Sequence, residues 1–324
     1  MTPNTNGVSV VTPTLDRPDE VRSLLTSLAR QRVLPLELII IDGAPPNNTK
    51  TQDIVTQFAA GLPFSCRYVR HGGGTAVQRN VGIEMARGAF IAFVDDDISL
   101  ESDFFGVILR AYAEVRADGV GGIVGYISNQ YFDAATSARW RWYRRLRVFG
   151  TFEPGRFDLA SGYPINRYLQ KPHDGVREID FMGANCAVWR REVFDQGLRF
   201  SPFFVDYGVM EDAHLALTAR GRGWRLLECG AARCQHHHSS RGRTSKRRVA
   251  RKTAVNYRFL FVDIVPQRSW RQESRWWRLQ FIDLVRQFAY AVRHTSLDEW
   301  SAVIGKAEGM IAATRVRAGM ITPP

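Results

Sequence analysis

The first hundred residues alternate short apolar, β-branched runs with amphipathic helical patterns. Pro18 opens one such pattern, in which apolar residues recur at the i, i+3, i+4, i+7 spacing of a single helix face. Strands are predicted at residues 8–11, 38–41, 67–69 and 90–94, and helices from Pro18 and at residues 51–58 and 76–85. This βαβαβαβ order predicts an α/β fold with a mostly parallel sheet covered by helices.

Ligands bind beyond the carboxyl ends of the strands in such sheets. Asp42 follows one predicted strand, and the glycines at 72–74 precede a helix whose free N–H groups could hold a phosphate. Asp95, Asp96 and Asp97 follow the strand at residues 90–94 directly. Three adjacent carboxylates repel one another, so they predict a bound cation. The alternative is that they cap the next helix.

The charge of the chain is concentrated near its C-terminus. The whole sequence has 44 Lys and Arg against 32 acidic residues, a net charge of +12. Residues 233–293 alone carry that excess, because only Asp263, Glu273 and Asp283 offset the basic residues there. An anionic partner is therefore expected, with a domain boundary near the histidine run 236–238.

Three features concern the compartment. No stretch reaches the ~18 apolar residues that a bilayer span needs, and residues 1–7 lack the charged and apolar regions of a signal peptide. Four cysteines in 324 residues are too few for a disulfide framework. We expect a cytoplasmic protein with free thiols.

Several motifs together resemble glycosyltransferase family 2. Those of its nucleotide-sugar half are SVVTPT at 9–14, IIDG at 40–43, QRNVG at 78–82 and FVDDD at 93–97. Those of its acceptor half are FMGAN at 181–185, RREVF at 190–194, ED at 211–212 and GWR at 223–225. The resemblance covers residues 7–238, and the motifs occur in the family's order.

The resemblance implies a GT-A fold over residues 1–240, with the nucleotide-sugar half at 1–100 and the acceptor half at 101–240, followed by a basic helical segment at 241–324. It implies an inverting, metal-dependent transfer of a sugar from a nucleoside-diphosphate sugar, with a UDP-sugar favoured. The acceptor would be the hydroxyl of a carbohydrate or lipid-linked saccharide, in cell-surface polysaccharide or glycolipid synthesis.

By the same resemblance, the metal is Mn²⁺ or Mg²⁺. It would be bound by Asp97, while Asp95 and Asp96 hold the metal or the ribose. Asp42 would bind the nucleobase, and Arg79 would lie near the diphosphate. The nucleoside pocket would be lined by Thr12, Pro13 and Thr14. A divalent ion stabilises the charge that develops on a departing diphosphate, and aspartates supply its oxygen ligands. The alternative for Arg79 is an ordinary surface arginine.

The acceptor hydroxyl needs a base, and Asp212 is our candidate, with Glu211 beside it. Both begin a predicted helix, whose dipole would favour the ionised carboxylate. The acceptor would be bound at Gly183, Ala184 and Asn185. The family has a second acid two positions after the aspartate, where this chain has His214, whose role we leave unassigned. Residues 125–172 match no motif.

His236 has the spacing of a histidine that many relatives use as a further metal ligand. Imidazole beside carboxylate suits Mn²⁺ somewhat better than Mg²⁺. One alternative is a zinc site that joins Cys229 and Cys234 to two of the histidines at 236–238, although the usual CxxC spacing is absent. The other is that these are ordinary surface histidines.

Two stretches combine arginine with tryptophan, at residues 139–145 and 270–278. Helices that lie on membranes use this combination, which makes an anionic membrane surface a possible partner and peripheral attachment to the inner face of the cytoplasmic membrane a possible location. The alternative is a solvated helix face with its tryptophans packed inward. The QxxRW string at 272–276, known from processive polysaccharide synthases, is interpreted as a chance match.

Rival classes fit less well. A nucleic-acid-binding protein would not need three aspartates at a sheet edge, so no nucleic-acid partner is expected. A nucleotidyltransferase would have a glycine-rich basic loop after its first strand, where this chain has Pro13, Thr14 and Leu15. A non-catalytic sugar-binding relative remains an alternative.

Overall fold

A computed structural model describes residues 4–115, 119–134, 136–206, 208–238 and 245–324. It confirms every element predicted in the first hundred residues. These are β1 (Asn4–Thr14), α1 (Pro18–Ala29), β2 (Glu37–Asp42), α2 (Lys50–Ala59), β3 (Ser65–Arg70), α3 (Thr75–Met85) and β4 (Gly88–Val94).

The second half of the chain adds shorter strands and longer helices. The elements up to residue 195 are β5 (Ile98–Leu100), α4 (Phe104–Glu114), β6 (Val120–Ile127), α5 (Ala138–Arg145), β7 (Phe157–Asp158), β8 (Tyr163–Pro164), β9 (Val176–Ile179), β10 (Cys186–Arg190) and α6 (Arg191–Asp195). Beyond them lie α7 (Glu211–Gly221), β11 (Arg225–His236), α8 (Lys246–Ile264), α9 (Trp270–His294) and α10 (Leu297–Ala313).

Nine strands form one sheet in the order β3-β2-β1-β4-β10-β6-β11-β5, with β9 paired to β11. The four strands of the N-terminal half are parallel throughout, whereas β10 runs antiparallel between β4 and β6. The strand order reverses at β1, which has β2 on one side and β4 on the other. A reversal of this kind opens a crevice at the carboxyl ends of the strands.

The element that follows the three aspartates is β5, and α4 begins only at Phe104. The alternative that Asp95, Asp96 and Asp97 cap the next helix is therefore wrong. The carboxylates lie at the carboxyl end of β4, beside the crevice where the sheet changes direction.

Aromatic side chains between residues 132 and 163 contribute to a cluster that their sequence did not indicate. Trp140 and Tyr143 of α5 are buried against Tyr163 and Leu279. The ring of Tyr163 in turn stacks on Tyr257 of α8, with centroids 5.1 Å apart. This segment therefore packs between the sheet domain and the C-terminal helices.

Two of the three C-terminal helices reach the main hydrophobic core, α8 through Phe259 and α10 through Ala312. Phe259 of α8 stacks on Phe203 with ring centroids 3.9 Å apart. Helix α10 lies so close to α8 that a Cβ at Gly305 would be 2.0 Å from the carbonyl oxygen of Arg247. The predicted division after residue 240 falls within residues 239–244, outside the described residues, and no described helix is long and apolar enough to span a bilayer.

The shared core makes a prediction for stability. Phe259 is 2% exposed, and the substitution Phe259→Ala removes its stacked ring. It should lower the free energy of unfolding by about 3 kcal/mol or more. The matched control is Phe281→Ala on α9, whose ring is 59% exposed and whose loss should cost about 0.5 kcal/mol or less.

Urea unfolding followed by circular dichroism measures both variants. If the C-terminal helices only rested on the sheet domain, Phe259→Ala would leave the main transition where it is in the wild type.

Candidate active site

The carboxyl ends of β1 and β4 open into a cleft of about 1350 Å³. The first turns of α3 and α7 line one side of the cleft. Residues of α8, α9 and α10 line another side, which we call the far side. Among the predicted site residues, the cleft is lined by Pro13, Thr14, Arg79, Asp95, Asp96, Asp97, Asn185, Glu211, Asp212 and His236. Residues from both halves of the resemblance therefore meet in one place.

Asp96 joins the ends of two neighbouring strands. Its carboxylate accepts a 2.6 Å hydrogen bond from the hydroxyl of Thr14 and a 2.9 Å bond from the guanidinium of Arg17. Burial raises the pKa of Asp96 to about 7, although Arg17 and Thr14 both act in the opposite direction. The side chain is buried, so Asp96 holds the edge of the cleft together.

Asp97 and His236 converge from β4 and β11. The Nε2 atom of His236 lies 3.1 Å from Oδ1 of Asp97, and its Nδ1 atom lies 2.8 Å from the side-chain amide of Gln130. Burial acts to lower the pKa of His236, but the contact with Asp97 outweighs it and raises the pKa overall. A carboxylate and an imidazole in contact at an open cleft are a donor pair that fits Mn²⁺.

In the part of the chain that the structure describes, Asp95 does not join Asp97 and His236 in the predicted group of three metal ligands, because it is paired with Arg79. Within the described ranges, no group of three or more His, Cys, Asp or Glu side chains is arranged to hold a metal ion. The zinc alternative through Cys229 and Cys234 is therefore wrong, and both cysteines are free thiols buried in the sheet.

Arg79 connects the two halves of the cleft. One nitrogen of its guanidinium lies 2.9 Å from Asp95, and another lies 2.9 Å from Glu211. The guanidinium also lies over the ring of Phe200, 5.5 Å from its centroid. Burial opposes the charge of Arg79, but Asp95 and Glu211 more than offset it and raise its pKa. The alternative of a solvated surface arginine is wrong, because the side chain is buried.

Asp212 lies in the first turn of α7, as predicted. Its carboxylate accepts hydrogen bonds from the backbone N–H of Ala213 at 2.7 Å and of Ala184 at 3.3 Å. The helix dipole, which was expected to favour the ionised carboxylate, is outweighed by other effects. Burial, followed by the charge of Glu211, raises the pKa of Asp212 to about 6.

Residues 183–185 lie next to this carboxylate. A Cβ on Gly183 would be 3.2 Å from Oδ2 of Asp212, so a side chain there would crowd the carboxylate. Asn185 donates a 3.2 Å hydrogen bond to the hydroxyl of Tyr168 and lines the cleft, whereas Ala184 contributes its backbone N–H.

His214 lies on the same helix, at a distance from the cleft. Its Nε2 atom is 2.8 Å from Oδ2 of Asp263 on α8, and its ring stacks on Phe259. The backbone N–H of Gly319 donates to the other oxygen of Asp263. His214 therefore fixes the helix that bears Asp212 to the C-terminal helices.

The family model for glycosyl transferase family 2 matches residues 9–197, more than half of the chain. The chain belongs to this family.

Individual relatives match over shorter stretches. An uncharacterized glycosyltransferase of Escherichia coli, YibD, is 37% identical over 116 residues, which are 36% of this chain and 33% of the relative. YwdF of Bacillus subtilis, also an uncharacterized glycosyltransferase, is 28% identical over 195 residues, 56% of this chain and 65% of that protein. The chain thus spans less than two thirds of the length of either relative.

The fold has a solved counterpart. The mannosyltransferase PcManGT of Pyrobaculum calidifontis, solved in complex with GDP-Man and Mn²⁺, aligns with 97% of this chain and 88% of its own. The TM-score is 0.55 at 15% identity, a likeness of fold. The mixed sheet with flanking helices is accordingly the GT-A fold of this family.

Two predicted donor residues of this family 2 member lie behind the cleft wall. Thr12 and Asp42 are fully buried and are not among the residues that line the cleft. Asp42 accepts hydrogen bonds from the hydroxyl of Tyr68 at 2.9 Å and from the N–H of Ala44 at 2.9 Å. Their direct contact with a nucleoside stays a prediction.

Sequence reasoning missed two residues of the site. Arg17 binds Asp96, and Gln78 donates from one amide nitrogen to the carbonyls of Thr14, Ile41 and His71, at 3.0, 3.1 and 3.2 Å. Gln78 thereby fixes the chain at the ends of three strands. Gln78 is the first residue of the QRNVG motif at 78–82, in which only Arg79 was predicted to belong to the site.

The position of Arg79 makes a prediction for stability. Arg79→Met leaves two carboxylates without their cation and should cost about 3 kcal/mol of unfolding free energy. Burial raises the pKa of Asp95, and Arg79 opposes that shift. In the variant, Asp95 should therefore keep its proton to higher pH in the folded chain than in the unfolded chain.

A carboxyl group whose pKa is higher in the folded chain than in the unfolded chain favours the folded state at low pH. This contribution to stability is lost as the pH rises through the folded-state pKa. The loss in Arg79→Met should accordingly be larger at pH 8 than at pH 5. Urea unfolding at both pH values measures it. Arg110→Met, which breaks an exposed pair with Asp103, is the control and should cost much less stability than Arg79→Met at either pH. Equal losses in the two variants would contradict this role of Arg79.

Proposed function

We propose that this family 2 member transfers a sugar from a nucleoside-diphosphate sugar to an acceptor hydroxyl, with inversion and with the help of Mn²⁺ or Mg²⁺. The observation that carries the proposal is the bridge from Asp95 through Arg79 to Glu211, next to Asp212. It supports a single cleft that holds both the departing diphosphate and the base.

The donor would lie along the ends of β1 and β4. Thr14 and Pro13 line the cleft there, and two arginines, Arg17 and Arg79, stand beside the aspartates. Guanidinium groups bind phosphate oxygens through paired N–H donors, which suits a diphosphate. We favour a UDP-sugar as donor, and the GDP-Man bound by PcManGT makes a GDP-sugar the alternative.

The metal would be held by Asp97 and His236, whose donor atoms already face each other. Asp95 faces Arg79, so it would have to leave that guanidinium in order to join them as a third ligand. When bound, a divalent ion neutralises negative charge that develops on the departing diphosphate. The Mn²⁺ in the PcManGT complex supports the same choice of ion.

Asp212 would take the proton from the acceptor hydroxyl. A base works best when its pKa is near the working pH, and burial brings the pKa of Asp212 to about 6. The N–H groups of Ala184 and Ala213 orient the carboxylate. Direct attack by the hydroxyl, with one base and no enzyme nucleophile, inverts the anomeric configuration.

The acceptor would enter between Asn185 and the far side of the cleft. That side presents Thr253, Gln287 and Tyr290, side chains that can hydrogen-bond to sugar hydroxyls. We therefore infer a carbohydrate acceptor, free or linked to a lipid.

The base assignment has a direct test. Asp212→Asn keeps shape but cannot accept a proton, so turnover should fall by about 10² or more while the donor binds with nearly unchanged affinity. In the wild type, kcat/KM should fall tenfold for each pH unit below about 6, because the base must be ionised.

Turnover is measured by nucleotide release and donor affinity by calorimetry. The control is Asp195→Asn, an exposed carboxylate on α6 that should leave both unchanged. An Asp212→Asn enzyme that lost donor affinity and kept its turnover would show that the role is wrong.

A further inference from the structure

The basic residues of α8 differ in their partners from those at the end of α5 and in the first half of α9. Those of α8 pair with acidic side chains, as Lys246 does with Glu299 at 2.5 Å and Arg258 with Glu273 at 2.7 Å. A second group forms no ion pair with any described carboxylate, and it consists of Arg144, Arg145, Arg147, Arg271, Arg275 and Arg278. Most of the positive charge of α8 is thus neutralised by acidic side chains, whereas these six arginines form no ion pair with a described carboxylate.

The second group lies on one continuous surface. The guanidinium of Arg278 donates a 3.2 Å hydrogen bond to the carbonyl of Arg147, just past the end of α5. Beneath them, Leu279 and Ile282 of α9 pack against Tyr143 of α5. We name this surface, formed by the exposed sides of α5 and α9, the α5–α9 face.

Large apolar side chains interrupt the arginines on the same face. Trp142 is 59% exposed and Trp270 is 75% exposed. Along α9 the exposed stripe is basic in its first half and apolar in its second, where Phe281, Val285, Phe288 and Val292 recur at intervals of four, three and four. Meanwhile Trp140 and Trp276 are buried, so the tryptophans divide between core and surface.

We propose that the α5–α9 face binds the surface of an anionic lipid bilayer. Guanidinium groups attract lipid phosphates, and tryptophan and phenylalanine side chains enter the headgroup boundary. The six arginines without ion pairs complement the negative charge of the lipid headgroups. The exposed apolar side chains insert into the headgroup region of the bilayer. Membrane binding extends the proposed function without depending on it, because it is measured without donor or acceptor.

The stripe fits a second copy of this chain poorly. A symmetric pair of α9 helices would place arginines against arginines if parallel. If antiparallel, it would place each basic half against the partner's apolar half. Nucleic acid would account for the arginines but leave Val285 and Val292 exposed to water. An anionic bilayer offers phosphates to the basic half of the stripe and an apolar region to its other half.

The proposed contact would also place the cleft near the membrane. Arg286, Gln287 and Tyr290 of α9 line the cleft, on the same helix whose exposed side carries the apolar stripe. One helix would therefore border the bilayer and the proposed acceptor entrance together. An acceptor linked to a membrane lipid would have a short path from headgroup to base.

Co-sedimentation with vesicles tests the proposal. The full chain should pellet with vesicles of phosphatidylglycerol and phosphatidylcholine at low salt, be released by roughly 0.5 M salt, and ignore pure phosphatidylcholine. The combined variant Arg271→Gln, Arg275→Gln and Arg278→Gln should bind about a hundredfold more weakly.

The matched control removes three exposed arginines elsewhere, in Arg22→Gln, Arg30→Gln and Arg32→Gln. It changes the net charge equally and should retain most of the binding. Equal losses in the two triple variants would overturn the assignment to the α5–α9 face. Thermal melting of each variant confirms that it is folded.

A second variant separates lipid from other partners. Phe281→Ser with Phe288→Ser keeps every arginine, so it should weaken vesicle binding and leave binding to random DNA unchanged. Wild-type protein that bound DNA more tightly than anionic vesicles at one salt concentration would overturn the proposal. So would a wild-type dimer in sedimentation velocity that this variant converts to a monomer.

Discussion

The site depends on the neutralisation of buried and half-buried carboxylates by two arginines. Asp95 and Glu211 share Arg79, and Asp96 is bound by Arg17, so acidic groups that would repel one another lie together at one sheet edge. Removing a partner from such a pair leaves a charge with neither water nor counterion, which is costly. The arrangement therefore ties the geometry of the candidate site to stability, because the arginines that face the proposed diphosphate also join the elements that form the cleft.

The scaffold explains why these groups meet. The sheet changes direction at β1, which places the ends of β1 and β4 side by side, and β10 then carries the chain back so that α7 begins opposite them. The C-terminal helices complete the far side of the cleft and share the main core through Phe259. His214 and Asp263 bind the helix of the proposed base to them. The C-terminal helices thus form part of the candidate active site.

Sequence reasoning succeeded where the evidence was local. Strands such as residues 38–41 follow from apolar runs, and the location of Asp95 to Asp97 follows from the strand before them. It failed for contacts between distant residues, since Arg79 and Glu211 are 132 positions apart and no local pattern pairs them. The ionisation of Asp212 was missed for the same reason, because burial exists only after folding.

The central claim is that Asp97 and His236 form a metal-assisted site for a nucleoside diphosphate. Titration calorimetry of UDP and GDP into the wild type and Asp97→Asn, with Mn²⁺ and with EDTA, tests it most directly. The account predicts that one nucleotide binds the wild type only when Mn²⁺ is present, and that the folded variant loses this metal-dependent affinity. Binding of equal strength in EDTA, or an unchanged affinity in Asp97→Asn, would contradict it.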